Sequence, residues 1–165
     1  MPTKTDNSIH KICIASIKRS TVKPYDFKWT KFYESNQEYF ANASAPPVNL
    51  SNNELIICST IIDNSQYSIL TTRQLGTNEN GVLRWVDITT ASDKRYGDFK
   101  GYNKSEWTFG EIALANGEEF KYYIETGNAS MIMIHGIRTI IRMNLQTQDD
   151  LDKTMKRLTN RKFTG

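Results

Sequence analysis

Few side chains in this sequence are able to act as nucleophiles or general bases. It holds two histidines, His10 and His135, and two cysteines, Cys13 and Cys58. Both cysteines stand in runs of isoleucine, which is typical of buried free thiols, whereas a catalytic cysteine needs an ionised thiol beside a histidine. His135 falls on the polar side of a predicted helix. These four residues therefore predict no nucleophilic site.

The short motifs that mark common active sites are also missing from the sequence. It contains no Gly-x-Ser-x-Gly elbow, no Walker loop and no His-Glu-x-x-His, and its cysteines and histidines are not clustered at zinc-ligand spacing. Adjacent acids occur at Asp149-Asp150 and Glu118-Glu119, where we expect helix capping and solvation respectively. We therefore predict a protein that is not an enzyme, with no cofactor and no metal. A hydrolase that uses carboxylates from distant segments remains an alternative.

The charge balance narrows the class of partner. The 165 residues carry 21 basic and 18 acidic side chains, a formal net charge of +3, which is too mild to indicate a nucleic-acid partner. The middle of the chain, 54–125, is net acidic, which opposes contact with an anionic membrane. No window approaches the ~20 apolar residues of a membrane span, and the N-terminus lacks the apolar stretch of a signal peptide. We therefore expect a cytoplasmic protein without a membrane partner.

One predicted loop, 92–105, combines aromatic and basic side chains in this otherwise acidic part of the chain. Aromatic and arginine side chains are enriched in protein contact surfaces, and aromatics with a polar end are common anchors there. A loop that only reverses the chain needs no such set. The competing interpretation is that Phe99 and Tyr102 fold under the loop and only hold it in place. We predict a partner-binding site made of Tyr96, Phe99, Tyr102, Trp107, Lys94, Arg95 and Lys100.

The elements that must position these residues begin with a helical N-terminal segment and linker, 1–53. Apolar residues recur at four-residue spacing over 9–17, which favours a helix, although two isoleucines there also alternate as in a strand. A second, aromatic helix is predicted over 26–39, because its aromatic side chains recur three and four apart. Proline and asparagine pairs within 41–53 predict a linker.

From residue 54 onward, short β-branched runs alternate with turn signals. Such a pattern predicts about seven antiparallel strands joined by short turns. Gly110 interrupts the alternation of its strand, which predicts a β-bulge. The apolar stripe that follows predicts an amphipathic helix over 130–145, with Ile137 and Ile141 at its centre, and a short helix and tail over 146–165. The runs that we assign to strands are 54–62, 67–72, 82–88, 96–100, 106–114 and 119–125.

This order of elements resembles a known fold over 54–145. The motifs that carry the resemblance are Ile69-Leu70-Thr71-Thr72-Arg73 before a turn, Val86-Asp87-Ile88 after it, and Ile112-Ala-Leu-Ala-Asn-Gly117 at the last hairpin. They resemble the pleckstrin-homology-like domain and, within it, the bacterial PH-like and GRAM group. The resemblance implies an α+β fold in one domain. Its centre is an antiparallel β-barrel of about seven strands plugged by a C-terminal amphipathic helix, with helical N- and C-terminal segments.

The resemblance also bears on the ligand. Phosphoinositide-binding members of this family carry basic residues around the first hairpin, but the turn over 62–67 contains none. PH-like domains also dock peptides and partner domains at sheet edges and loop ends. We therefore expect a non-catalytic, cytoplasmic protein-binding module of bacterial or phage origin, an immunity or inhibitor protein that blocks a toxin-like or effector-like partner. The alternatives are a ligand-sensing domain for a small anionic molecule or lipid head group, and the carboxylate-dependent hydrolase.

Overall fold

The computed structural model describes residues 4–144 of the chain. In that part, eight strands form two antiparallel sheets, packed with three α-helices. A 3-10 turn, Gly127–Ala129, leads into the third helix, α3, which covers 130–144. The other elements are α1 (Asp6–Ser20), β1 (Thr30–Phe32), α2 (Asn36–Phe40), β2 (Ile56–Asp63), β3 (Gln66–Thr71), β4 (Gln74–Glu79), β5 (Val82–Asp87), β6 (Ser92–Arg95), β7 (Trp107–Ala113) and β8 (Glu119–Glu125).

The strands follow the chain in a meander. The first sheet has the order β1-β2-β3-β4-β5 and the second the order β6-β7-β8, and every pair is antiparallel. The β4–β5 hairpin turns at Asn80-Gly81, whose φ angles of 54° and 90° suit a tight two-residue turn. The predicted α+β class and antiparallel strands are confirmed. Among residues 4–144, however, no strand pairing joins the two sheets, so the strands do not close into a barrel.

Helix α3 fills the space between the two sheets and α1. Ile137 is fully buried and Ile141 is 3% exposed, so the predicted apolar stripe is confirmed; Leu145, the end of the predicted helix, lies outside the described residues. A Cβ atom on Gly136 would lie 3.0 Å from the Leu70 side chain and 3.1 Å from the Cys58 thiol. A glycine therefore allows the helix to approach the first sheet closely.

Cys13 and Cys58 are both free and buried, as predicted. Each thiol faces a main-chain carbonyl of α3, with 3.9 Å from Cys13 Sγ to Gly136 O and 3.9 Å from Cys58 Sγ to Ile132 O. Burial raises the pKa of Cys13 to about 12 and that of Cys58 well above its ordinary value. Both thiols therefore stay protonated at neutral pH and act as packing groups.

The N-terminal segment differs from its prediction in one element. Helix α1 confirms the helix expected over 9–17, but the helix expected over 26–39 is wrong, because the chain forms β1 and then the short helix α2. Strand β1 pairs with β2, with Phe32 opposite Cys58. This pairing sends Phe32 to the main core and Tyr33 to the opposite face of the sheet, so the spacing of the aromatics marks two faces of a strand.

The expected linker, 41–53, packs on the outer face of the first sheet. Tyr33, Tyr39 and Tyr67 form a second apolar cluster there with residues from this segment and from β2 and β3. The Tyr39 hydroxyl donates a hydrogen bond to the carbonyl of Pro46 over 2.6 Å. The first sheet is therefore covered on both faces, by α3 and by the N-terminal segment.

Three details of the strands also differ from the prediction. Strand β4 has no β-branched run and forms because both of its edges pair, with β3 and with β5. Strand β6 covers Ser92–Arg95, so residues 96–100 form a loop. The bulge predicted at Gly110 is wrong, since β7 and β8 pair without a register shift. Position 110 requires a glycine for another reason, because a Cβ atom there would lie 2.3 Å from the Tyr122 ring.

The helices of residues 4–144 include none with the length and apolar character that crossing a membrane requires. The predicted C-terminal helix and tail, 146–165, lie outside the described residues.

Candidate protein-binding surface

The residues of the predicted partner site occupy three places in the structure. Strand β6, the loop 96–106 and strand β7 carry them. Two aromatics pack towards the core, one stands at the exposed tip of the loop, and one lies on the outer face of the second sheet. The structure therefore brings only part of the predicted set to one surface. The full predicted set is Tyr96, Phe99, Tyr102, Trp107, Lys94, Arg95 and Lys100.

Tyr96 and Phe99 hold the loop on the body of the protein. Both side chains are partly buried against the main core, and their rings meet edge to face with centroids 6.1 Å apart. The guanidinium carbon of Arg138 lies 5.9 Å from the centre of the Tyr96 ring. The carbonyl of Phe99 accepts the N–H of Gly127 over 2.8 Å. These contacts fix both ends of the first half of the loop.

Tyr102 stands at the tip of the loop and is 79% exposed. Asp98 orders the turn beneath it, because its carboxylate accepts the main-chain N–H groups of Tyr102 over 3.1 Å and of Asn103 over 2.8 Å. The N–H of Gly101 is bound to the carbonyl of Asp98 over 2.9 Å, and Gly101 has a φ of 78°, which favours glycine. The loop is therefore held in place by its own hydrogen bonds while it presents an aromatic ring to solvent.

The basic residues of the predicted site divide into paired and unpaired ones. Lys94 forms an ion pair with Glu119, and Arg95 Nε lies 3.2 Å from a carboxylate oxygen of Glu111. Lys100 forms no ion pair with any described residue. Its ammonium lies 6.0 Å from the centre of the Tyr102 ring. Lys100 is therefore the predicted cation whose charge is free to meet a partner beside Tyr102.

Trp107 belongs to an aromatic cluster on the outer face of the second sheet. Its ring centroid lies 5.3 Å from that of Phe109 and 5.1 Å from that of Tyr123, and the last two are 4.7 Å apart. Phe109 and Tyr123 are opposite each other in the register of β7 and β8, so the three rings share a face. Trp107 and Phe109 are half-buried, whereas Tyr123 is only 1% exposed, and we call these three rings the aromatic face.

The sequence did not predict that Phe109 and the buried Tyr123 join Trp107 in one aromatic cluster. The signal was present in β7, where Trp107 and Phe109 alternate with a threonine and a glycine, but in β8 aromatic side chains occupy both faces. Only the pairing of β7 with β8 shows that the two rows meet.

The N-terminal segment is attached beside the aromatic face through one carboxylate. Glu125, at the end of β8, accepts the main-chain N–H groups of Lys28 over 3.2 Å and of Trp29 over 2.8 Å, and the hydroxyl of Thr30 over 2.9 Å. The ammonium of Lys28 lies 4.5 Å from the Trp29 ring and 3.3 Å from Glu106. A second half-buried tryptophan therefore lies at the end of β8, where Glu125 pairs with Trp107 in the register.

A polar cluster lies where β6 and β8 meet α3. Arg138 Nε is 3.5 Å from a carboxylate oxygen of Asp93, and neither this nitrogen, nor Asp93 Oδ1, nor the Tyr122 hydroxyl has a hydrogen-bond partner among the described residues. Burial raises the pKa of Asp93, although Tyr96, Arg138 and the nearby arginine 142 act in the opposite direction. Burial also raises the pKa of Tyr122. Such perturbed groups mark either a functional site or a strained ion pair.

A cavity of about 530 Å³ lies between the start of α1, the β3–β4 turn and the end of α3, with Lys4 and Arg73 among its lining residues. Arg73 is engaged by Asp6, with 2.8 Å from Nη2 to one carboxylate oxygen and 3.1 Å from Nε to the other. The hydrogen bond from Arg73 lowers the pKa of Asp6. Since that carboxylate neutralises the guanidinium, Lys4 is the charge that remains for an anionic ligand.

Residues 4–144 include no group of three or more histidines, cysteines or acids placed to hold a metal ion. Of the adjacent acids, Glu118 pairs with Arg84 and Glu119 pairs with Lys94, whereas Asp149-Asp150 lies outside the described residues. No family model, curated protein or solved structure matches this chain.

Proposed function

We propose that this chain is a non-catalytic protein-binding module that acts in the cytoplasm, as an immunity or inhibitor protein that blocks a toxin-like or effector-like partner. The observation that carries the proposal is Tyr102, 79% exposed on a loop that is ordered by its own hydrogen bonds. An aromatic ring left in water adds little to folding, since the stabilisation scales with the apolar area removed from water. The same ring is a common anchor when a partner buries it.

The fixed conformation of the loop in the free protein supports the proposal further. Association costs free energy when side chains and loops must be immobilised, so a loop that is already fixed binds at lower cost. Asp98 and the contact from Gly127 to Phe99 fix this loop in the free protein. Lys100, which forms no ion pair with a described residue, supplies a positive charge beside Tyr102, and the aromatic face begins at Trp107, directly after the loop.

We propose further that the fold is pleckstrin-homology-like. Four strands, β2 to β5, are followed by three, β6 to β8, and then by α3. This order supports a pleckstrin-homology-like fold, to which α1 and β1 would be additions. The support is the order of the elements, since the strands of the two sheets are not paired with each other.

Ligand sensing is the second candidate function, and the cavity beside Lys4 favours it. Its volume of about 530 Å³ lies within the usual range for small-molecule sites. If Lys4 holds a small anion there, inorganic phosphate should raise the melting temperature and Lys4→Ala should remove that rise. Because Arg73 is already engaged by Asp6, we place protein binding first.

The proposed function is tested by photo-crosslinking and affinity. A photo-reactive phenylalanine at position 102 should crosslink one specific protein in cells that express the chain natively. The same group at position 22, where Val22 is 60% exposed, is the control and should not give that product. Tyr102→Ala should weaken binding of the captured protein by about 2 kcal/mol, about thirtyfold, with an unchanged melting temperature.

Tyr96→Ala is the matched variant, because Tyr96 packs against the core from the same loop. We expect it to lower the melting temperature and the affinity together. The proposal is wrong if no specific crosslink forms at 102, if Tyr102→Ala binds the partner as tightly as the unmodified chain, or if it lowers the melting temperature as much as Tyr96→Ala does.

A further inference from the structure

Strand β5 forms one edge of the first sheet and is regular along its whole length. Within residues 4–144 it pairs only with β4, through six consecutive register pairs without a shift. A strand at the edge of a sheet directs alternate N–H and C=O groups to its open side, where another strand can pair with them. The six residues of β5 span about 20 Å, which is enough for several main-chain hydrogen bonds.

The other edges of the two sheets each carry a feature that hinders pairing. Strand β1 has three residues, and β6 has four with a register shift between Asp93 and Arg95. Strand β8 lies against the first sheet, where the N–H of Tyr123 donates to the Ser68 hydroxyl over 2.9 Å. Proteins commonly protect sheet edges by short length, bulges, charge or cover. Within the described part of the chain, β5 has none of these protections apart from two charged side chains, and its first two residues are exposed apolar ones.

Two cavities lie along β5 on the side of the β7–β8 hairpin. One of about 440 Å³ is lined by Val82 and Phe120, and one of about 330 Å³ is lined by Val86 and Leu114. Arg84 lines both cavities. It forms an ion pair of 3.3 Å with Glu118 of the hairpin. We call this opening, from Val82 to Val86, the β5 seam.

The two ends of the seam carry acidic side chains without a cation. Glu79 lines the first cavity and Asp87 the second, and neither forms an ion pair with a described residue. Arg84 in the middle is neutralised by Glu118. Lys121 also lines the first cavity, but its ammonium lies 5.4 Å from the centre of the Phe109 ring, beside the aromatic face. The seam therefore carries a neutralised ion pair in its centre, apolar side chains on either side of it and acidic side chains at both ends.

We propose that the β5 edge binds an extended segment of a partner protein by strand addition, with a basic side chain at each end of that segment and β-branched apolar side chains between them. The main chain of the segment would continue the first sheet beyond β5. Its basic ends would meet Glu79 and Asp87, and its apolar side chains would cover Val82 and Leu83, which are 66% and 42% exposed. This site is separate from the Tyr102 loop and does not depend on it.

The test uses the full 165-residue chain and the peptide acetyl-Lys-Val-Thr-Val-Val-Lys-amide. Hydrogen exchange and amide chemical shifts are measured for residues 82–87 at increasing peptide concentration. We expect the peptide to shift the signals of β5 and to slow the exchange of those β5 amides that do not pair with β4. The amides of α1 should keep their exchange rates.

Two control peptides separate the main-chain and charge contributions. In acetyl-Lys-Val-Pro-Val-Val-Lys-amide the proline removes a donor and interrupts strand pairing, at equal charge. In acetyl-Glu-Val-Thr-Val-Val-Glu-amide the ends repel Glu79 and Asp87. Both should bind at least tenfold more weakly. On the protein, Leu83→Lys and Glu79→Gln should each weaken the first peptide severalfold, whereas Tyr102→Ala should leave it unchanged.

The proposal is overturned by any of four results. They are slow exchange, already in the free chain, of the β5 amides that do not pair with β4, equal binding of the proline peptide, equal binding of the glutamate peptide, and dimerisation of the free chain that Leu83→Lys abolishes. Because Tyr102→Ala separates the two surfaces, failure of the peptide test leaves the proposed function standing, and failure of the crosslinking test leaves this one standing.

Discussion

Asp93 and Arg138 face each other where β6 meets α3, and each keeps a polar atom without a hydrogen bond among the described residues. A buried charge that is incompletely paired costs free energy, because the protein replaces only part of its hydration. The raised pKa of Asp93 expresses this cost. Burial, followed by the charge of Asp93, also raises the pKa of the neighbouring Tyr122. The polar cluster therefore limits the stability of this contact.

Asp93→Asn should change how stability depends on pH. The folded-state pKa of Asp93 is raised above its ordinary value of 3.8, so its contribution to stability is present below that value and is lost as pH rises through the folded pKa. The difference in unfolding free energy, variant minus unmodified chain, should therefore increase as the pH rises from about 3 to about 7. Urea denaturation across this range measures the difference, with the exposed Asp26→Asn as control. A difference that is constant with pH would contradict the assignment.

Among the elements, α3 contributes most to the packing of the interior. Its buried residues meet α1 and the inner faces of both sheets within one apolar cluster. Its polar side is less exposed than the sequence pattern indicates. His135 and Thr139 are half-buried, and Thr139 donates a hydrogen bond to the Ser16 hydroxyl of α1 over 3.0 Å. Burial, followed by the charges of Arg138 and Arg142, lowers the pKa of His135.

Ile137→Ala should destabilise the protein by about 2–5 kcal/mol, because it leaves a cavity in the centre of the stripe. Thr139→Ala on the same helix removes the partly exposed hydrogen bonds of its hydroxyl with Ser16 and with the His135 carbonyl, and it should cost about 1 kcal/mol. Chemical denaturation of the two variants at one pH gives both values. Equal losses would mean that the core does not close around Ile137.

At the scale of the whole molecule, one apolar cluster connects α1, both sheets and α3. The sheets share no ladder of main-chain hydrogen bonds, so side-chain packing and a few polar contacts hold them together. One of those contacts is the hydrogen bond from Tyr123 to Ser68, and another is the set that Glu125 accepts from the start of β1 and the two residues before it. Two sheets joined through one core should unfold together.

Single-tryptophan variants test this cooperativity. Trp85 lies in the first sheet and Trp107 in the second, so each reports on one sheet when the other tryptophans are replaced by phenylalanine. For each reporter, the urea midpoint measured by tryptophan fluorescence should equal the midpoint measured by circular dichroism on the same variant. A sheet that loses its tryptophan signal before the secondary structure would show two folding units.

The elements that the sequence determined by itself are those with a strong internal period. The isoleucine spacing of α1, the stripe of α3 and the β-branched runs of β2 and β3 each select one local structure, because the residues that share a face are adjacent in that structure. The buried cysteines follow from the same apolar runs. These patterns predicted the α+β class and the antiparallel order of the strands.

Tertiary structure alone decided the rest. The aromatic spacing over 26–39 predicted a helix, but β1 is extended there because β2 supplies its hydrogen-bond partners. Strand β4 has no decisive period, and it is extended because it pairs with β3 and β5. In the partner loop, composition predicted aromatic residues but not their exposure. Phe99 is held inward by a hydrogen bond from Gly127, 28 positions further along the chain, while the Asp98 turn leaves Tyr102 in solvent. The packing of the two sheets likewise leaves one edge of β5 without a described strand beside it. The residues of a strand do not by themselves specify which of its edges pairs.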